Sequence, residues 1–565
     1  MRAAYDPNPC YPPVGGVVRL GWANVASTLP PGDLIVAMDG PAVVDWDEAL
    51  EELTAALDEI GRRHQELRLD EHFAPWERIV ELTSTPELAQ DDEFARLASV
   101  RLQDFFDAIP DVRPRAGEIL IIAGPGAALV AHDVLWYVDL PKRYAEAAVK
   151  RGEGRNLGQR REGSATSRRL FFIDWTVLDR HREDIAPKID LWIDMQNPSQ
   201  PAALDGATLR RTAESLATRP FRTRPTFNTT PWGGHWAQRE LGLGTDGPNS
   251  AVGYELIAPE SGVLIGDSDG QPVEVPFMLF VGLRPVEILG DAVRKLFGTS
   301  FPIRFDYIDT IDGGNLSVHI HPQLDYMRQI FGWPYAQHES YYVMIGGDER
   351  RIFLGLRGDV DLQAFEVAAR AADVQGEPFD IAKYVQTFPA DQHRLFWIPA
   401  GTPHGSGEGN VVLEVSSTPY LYSLRFYDWL RHDTDGTQRP VHVDHAFANL
   451  NRGRQGQAVL SDLIQEPRTI RSGEGWREES LGGLPEVFYE VRRLVLETQG
   501  PVDGETDGRF HVLNVVAGEG VTIETTAGSH RLNYAETIVL PAAVGTYTLR
   551  RLGNGGVQII KALVL

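Results

Sequence analysis

Close to residue 220 the hydrophobic pattern of this 565-residue chain changes period, and that change limits the architectures open to it. Before it, short apolar runs alternate with stretches of helical periodicity. "DLIVAMDG" (33–40) reads as a buried parallel strand, and "DWDEALEELTAALDEIGRRH" follows as an amphipathic helix with Leu50, Leu53, Ala56, Leu57 and Ile60 on one face. A second helix is expected over "DDEFARLASVRLQDFFDAI" (91–109), leading into the strand "EILIIAGPGAAL". "VLWYVDL" (134–140), "RLFFIDWTVL" (169–178) and "IDLWIDM" (189–195) are further strand candidates. Strands interleaved with helices predict a doubly wound α/β sheet over 1–215. After residue 220 short alternating strands separated by Gly, Pro and Asp turns dominate, which predicts β-sandwich or barrel modules. One helical insertion interrupts them, "DLQAFEVAARAADVQ", within about 361–390. Linkers are expected near 215–230 and 450–480, dividing the chain into 1–215, 220–455 and 460–565.

With 79 acidic against 54 basic residues the net charge is -25, which disfavours a nucleic-acid or anionic-membrane surface. The single cysteine, Cys10, excludes an intrachain disulfide and any Cys-rich zinc site. No apolar run approaches a membrane-spanning length, and the first residues lack an apolar signal core. A soluble, cytoplasmic protein is the expectation.

Within the β region, "SVHIHP" (317–322) places His319 and His321 two residues apart, on one face of a strand. Glu339 in "QHESYYVMI" and His404 in the turn-rich "FWIPAGTPHGSGEG" are the further ligand candidates. Three imidazoles and a carboxylate suit Zn, Fe(II), Mn, Co or Ni. A lone His-x-His pair is also compatible with histidines that only hydrogen-bond backbone.

Several ordered segments go further. "PTFNTTPWGGHW", "NLSVHIHPQLDY", "HESYYVMIGGDERRIFLGL", "LFWIPAGTPHGSGEGNVVLEVSS", "LRFYDWLR" and "RPVHVDHAFANL" resemble successive blocks of the type I phosphomannose isomerases. Together with "FHVLNVVAGEGVTI… ETIVLPAAVGTYTL" the resemblance covers about 225–565. It implies a mainly-β bicupin, a metal-dependent aldose–ketose isomerase of the mannose 6-phosphate/fructose 6-phosphate type, and a small sugar or sugar phosphate as partner. It implies one divalent ion, zinc first among the metals named, held by His319, His321, Glu339 and His404. It points to Glu414 as the proton-shuttling carboxylate, to Arg425 as the arginine over the sugar, and to Ser317 near the substrate.

Two positions depart from that pattern. His319 replaces a usual glutamine, and Gln337 replaces a usual lysine near the substrate, which keeps a non-phosphorylated sugar open. An epimerase or Fe(II) cupin oxygenase, or a non-catalytic sugar-binding regulator, are the other readings. Tyr341, Tyr342, Tyr427 and Trp429 are expected in the core, and the C-terminal cupin is expected to be metal-free, because His511 and His530 are far apart and lack a His-x-His partner.

The first third resembles the P-loop nucleoside-kinase fold of uridine kinases. Its phosphate loop is degenerate: Gly40-Pro41-Ala42-Val43-Val44-Asp45-Trp46 lacks the second glycine, the lysine and the Ser/Thr. Packing, regulation or assembly into an oligomer is the role this implies for the domain.

Overall fold

The computed structural model describes residues 4–160, 165–267, 270–417, 422–433 and 436–565. In the first third a seven-stranded sheet runs in the order Arg19–Leu20, Ala202–Asp205, Leu191–Asp194, Val134–Asp139, Leu34–Asp39, Ile119–Ala123, His64–Arg68. The last five of these are mutually parallel, and Ala202–Asp205 runs antiparallel to its neighbour. Ile119–Ala123 and Val134–Asp139 are buried at every position, as strands covered on both faces must be. Helix Trp46–Glu59 lays Trp46, Ala49, Leu50, Leu53, Ala56 and Leu57 against the sheet.

Two segments differ from the sequence reading. Residues 169–178 are not a strand. Ser167–Arg169, Leu170–Asp174 and Trp175–Ile185 form one continuous helical stretch with a π-turn. Leu170, Phe172, Ile173, Trp175, Val177 and Leu178 are buried around its circumference, so the helical period is invisible in the sequence. The helix expected over 91–109 is absent as well. Residues 91–101 form neither helix nor strand, and Leu102–Phe105 makes a 3₁₀ turn. Backbone bonds from Leu97 N–H to the Phe331 carbonyl and from Ala98 N–H to the Phe172 carbonyl, each 3.0 Å, override the helical propensity.

The middle region is a β-sandwich. Its first sheet is ordered Leu395–Ile398, Glu339–Ile345, Val411–Ser416, Arg304–Asp309, Val252–Leu256, Thr226–Asn228. The facing sheet is ordered Val385–Ala390, Gly347–Leu356, His404–Ser406, Val318–Ile320, Leu424–Tyr427. Helix Leu362–Gln375 is inserted between two strands of the second sheet, with the Asp361 carboxylate capping Gln363 and Ala364 N–H. A second sandwich closes the chain, six strands from Arg468–Gly473 onward facing four.

Parts of the segments expected as linkers belong to these sheets. Phe221 is fully buried and bridges Val539 of the second sandwich, and Thr226–Asn228 is an edge strand of the first. Arg468–Gly473 and Trp476–Ser480 open the second sandwich. Polar and glycine-rich composition misleads here because edge strands tolerate it.

Buried Glu274 clasps the N-terminal third to the sandwich. Arg143 makes a two-pronged contact with it at 2.8 and 2.7 Å, Arg224 approaches to 2.7 Å, and Gln196 donates at 3.1 Å. Burial opposes ionisation of Glu274, but Arg143 and then Arg224 hold its carboxyl below the usual range. Glu274→Ala leaves two guanidiniums facing each other, at a cost on the order of 3 kcal/mol with part of the charge screened by solvent. The expected outcome is a thermal midpoint lowered by several degrees, followed by circular dichroism, with Glu274→Gln losing less.

Candidate metal centre

Strand register assembles this site. His319 lies directly opposite His404 on one neighbouring strand and opposite Arg425 on the other, so the three side chains share one sheet face. His321 follows at the strand end. Its carbonyl accepts from Gly401 N–H at 2.8 Å, which ties the "PAGTP" turn in place. Gly401 has φ +82°, and a Cβ there would lie 2.7 Å from the Asn449 carbonyl oxygen, so the turn that presents His404 requires glycine. Glu339 comes from the opposing sheet.

The ligand atoms of His319, His321, Glu339 and His404 lie within 4.8 Å of one another, and all four residues are buried. Each imidazole has its Nδ1 on a carbonyl: His319 on Ser317 at 3.0 Å, His321 on Tyr422 at 3.1 Å, His404 on Thr402 at 2.9 Å. Those bonds fix the tautomer, leaving an unprotonated Nε2 on each ring. His321 Nε2 and His404 Nε2 sit 2.8 and 3.1 Å from the two Glu339 oxygens. Neither approach has hydrogen-bond geometry, so both nitrogens and Glu339 Oε2 are buried polar atoms without a hydrogen-bond partner.

Burial lowers the pKa of His319 far below the usual value, with His404 and His321 adding to it, and burial lowers His321 too. Glu339 is held well below the carboxylate range: burial opposes this, but His321 and then His404 outweigh it. Neutral imidazoles and an ionised carboxylate are the protonation states a cation binds. The orphaned lone pairs fit one divalent ion, and the donor set is three nitrogens and one oxygen.

The other expected residues surround this cluster. Ser317 Oγ lies 3.4 Å from His319 Nδ1. Gln337 donates its amide to Glu339 Oε1 at 2.5 Å, and its own Oε1 is buried without a partner. Glu414 stands opposite Tyr341 on one side and Asp306 on the other, on the same sheet face as Glu339. Arg304 Nη2 and Ser416 Oγ each donate to Glu414 Oε1 at 2.9 Å. Burial pushes the Glu414 carboxyl well above its usual pKa, Asp306 and Glu339 push the same way, and Arg304 opposes them. Arg425 donates its backbone N–H to His442 Nδ1 at 3.1 Å and Nη1 to the Pro440 carbonyl at 3.0 Å. Asp428 does not pair with it, being taken by Arg431 and Arg439 at 2.7 Å each.

Sequence reasoning missed Arg304 and Asp306, and placed Tyr341 in the core without its site contact. Arg304 Nε lies 3.2 Å from Asp306 Oδ1, and both side chains are buried. Their signal was present in "RFDYID", where charges alternate with large aromatics. Phe305 and Tyr307 cover one face, so Arg304 and Asp306 must point into the sandwich. Tyr341 is buried, but its ring centroid lies 5.7 Å from that of His404, and its hydroxyl has no hydrogen-bond partner.

Residues 21–218 match the model of a family described as a domain of unknown function, DUF8485. The curated proteins similar to this chain are mannose-6-phosphate isomerases. One from Streptococcus mutans is 24% identical over 336 residues, spanning 58% of this chain and 93% of its own. The Bacillus subtilis protein ManA is 27% identical over 341 residues, spanning 59% and 96%. Among solved structures, the mannose 6-phosphate isomerase from Bacillus subtilis is 17% identical, with a TM-score of 0.47 over 61% of this chain and 99% of that one.

His321→Ala and His404→Ala each remove one of the four clustered candidate ligands. Elemental analysis is expected to find about one equivalent of metal in the wild-type protein, and a loss of at least tenfold in affinity in either variant.

Proposed function

We propose that the chain is a metal-dependent aldose–ketose isomerase interconverting mannose 6-phosphate and fructose 6-phosphate, with His319, His321, Glu339 and His404 as the ligands of one divalent ion. The observation that carries the reading is the in-register row Arg425–His319–His404, faced by Glu339 and Glu414 from the opposite sheet. When bound, the ion, zinc first for this donor set, supplies Lewis acidity and a template for sugar oxygens.

The chain's own groups do the rest. Isomerisation moves a proton between C1 and C2 through an enediolate, whose negative charge needs stabilisation in a site sheltered from water. Arg425 is always protonated and shares a face with the ligands, so it meets that charge. Glu414 accepts the proton from one carbon and returns it to the other. Arg304 holds the Glu414 carboxylate in place while Ser416 donates to the same oxygen, leaving Oε2 for the sugar. Ser317 sits beside His319, at the rim on the substrate side.

Gln337 favours a second reading. Where the resemblance to phosphomannose isomerases leads one to expect lysine, its uncharged amide is turned onto Glu339, which suits a sugar without a phosphate.

For the modules we infer an isomerase body formed by 220–455 and 460–565, behind a kinase-like domain over 1–215 that binds no nucleotide. The Asp45 carboxylate accepts from Asp47 and Glu48 N–H, occupying the helix end where a phosphate would sit. A cytoplasmic home is consistent with one cysteine and with no described helix long and apolar enough to cross a membrane.

A coupled assay with mannose 6-phosphate and with free mannose, with and without chelator, tests the reaction class. Chelator-sensitive turnover of either is expected, and turnover of neither refutes the reading. Arg425→Ala should lower kcat/KM by about 10²–10³-fold at unchanged metal content. Glu414→Gln should lower it by about 10²–10⁴-fold.

A further inference from the structure

A side chain from the first third of the chain is packed among residues of the sandwich. Phe94 is 6% exposed, and five rings surround it: Phe172, Phe331, Tyr422, His442 and His445. Their centroids lie 6.2, 5.7, 5.7, 4.6 and 5.7 Å away, in that order. Of these only Phe172 belongs to the first third, so the ring serves the sandwich more than its own core. Its backbone is pinned in place: Asp91 Oδ1 accepts from the Phe94 N–H at 2.6 Å, and Arg168 Nε donates to the Phe94 carbonyl at 2.6 Å. Asp91 Oδ2 lies 2.6 Å from His445 Nε2, and the Tyr422 hydroxyl donates to the Ala95 carbonyl at 3.0 Å.

Two of the surrounding rings hold side chains of the candidate site. His442 Nδ1 accepts the Arg425 backbone N–H at 3.1 Å, and the His442 N–H donates to the Arg425 carbonyl at 2.8 Å. His442 Nε2 is buried without a hydrogen-bond partner, so packing is left to fix the tilt of that ring, and Phe94 is packed on it. The Tyr422 carbonyl lies 3.1 Å from His321 Nδ1, the contact that leaves Nε2 towards Glu339. Phe94 is thus one residue removed from Arg425 and one from His321.

We propose that Phe94 is a positioning residue of the isomerase site, holding His442 against Arg425 and Tyr422 against His321 from the first third of the chain. Removing its ring opens a void into which His442 and Tyr422 relax. Arg425 is then carried off the position at which it meets the enediolate, and the bond that fixes the His321 tautomer is loosened. The Arg425 half of this rests on the isomerase reading, and the His321 half on the ligand cluster alone.

Phe94→Ala, Phe94→Leu and Leu57→Ala in the full-length protein separate positioning from loss of stability. Leu57 is fully buried in a core cluster made only of residues from the first third, so its variant weakens that region without touching the sandwich. The zinc Kd is measured by competition with a chelating dye. The kcat and KM for mannose 6-phosphate are measured at saturating zinc, below the thermal midpoint of each variant. Phe94→Ala is expected to weaken zinc binding about tenfold and to lower kcat about tenfold, with KM changed less. Phe94→Leu is expected to show about threefold in each, and Leu57→Ala neither loss. Should Phe94→Ala not fold, the smaller effect of Phe94→Leu carries the test. A zinc Kd or a kcat that stays at the wild-type value in the folded Phe94 variants, or an equal loss in Leu57→Ala, overturns the proposal. If the wild-type protein turns over no sugar, the isomerase reading fails, and the zinc Kd across the series alone decides the role of Phe94.

Discussion

Unpaired lone pairs buried at one point are the constraint on which the rest of this structure depends. His321 Nε2, His404 Nε2 and Glu339 Oε2 are shielded from water and make no hydrogen bond. Each such atom costs about 1–3 kcal/mol when left unsatisfied, more when charged. A fold keeps such a cluster only where a cation satisfies all of it together. The surroundings serve that end: three carbonyls hold the three Nδ1 atoms, and the Gln337 amide holds one Glu339 oxygen. Removing any one of these second contacts frees a ring or carboxylate to turn away from the shared point.

The charged groups around that point are organised by the same register. On the six-stranded sheet, Glu414 stands between Asp306 and Tyr341, and Ser416 between Arg304 and Glu339. Three carboxylates and one guanidinium therefore share a dry face. Among the described residues Arg304 is the cation on that face, and it contacts both Asp306 and Glu414. Its deep burial disfavours its charge, but Asp306 and then Glu414 keep it protonated. Without Arg304, the like charges would drive one carboxylate to take up a proton, and Glu414 is the one already pushed highest. The arginine thus opposes protonation of the Glu414 carboxyl.

Legibility in the sequence followed locality. The parallel strands around Leu34–Asp39 were readable because burial on both faces writes an unbroken apolar run. The convergence of His319, His321 and His404 was readable because a two-residue spacing and a glycine-proline turn fix their directions locally. Residues 169–178 misled because a helix buried all round shows no period. Residues 91–109 misled because their non-helical course is held by partners more than two hundred positions away, Phe331 and Tyr422 among them. Arg304 belongs between these cases: its alternation with Phe305 was visible, but its partner Glu414 lies 110 residues on.

The non-local part is also where the two halves of the chain become one unit. The Tyr422 ring is stacked between Phe172 of the N-terminal third, at 4.8 Å, and Phe331 of the sandwich, at 3.9 Å. Its hydroxyl reaches Ala95 and its carbonyl holds His321. Any shift of the N-terminal domain on the sandwich would move that ring, and the backbone that carries the carbonyl would follow, because close-packed interiors transmit displacement rather than absorb it. His321 would then lose the bond that fixes its tautomer. The docking of the first third and the orientation of His321 are therefore linked through Tyr422, and the α/β domain is a structural component of the surroundings of the histidine cluster.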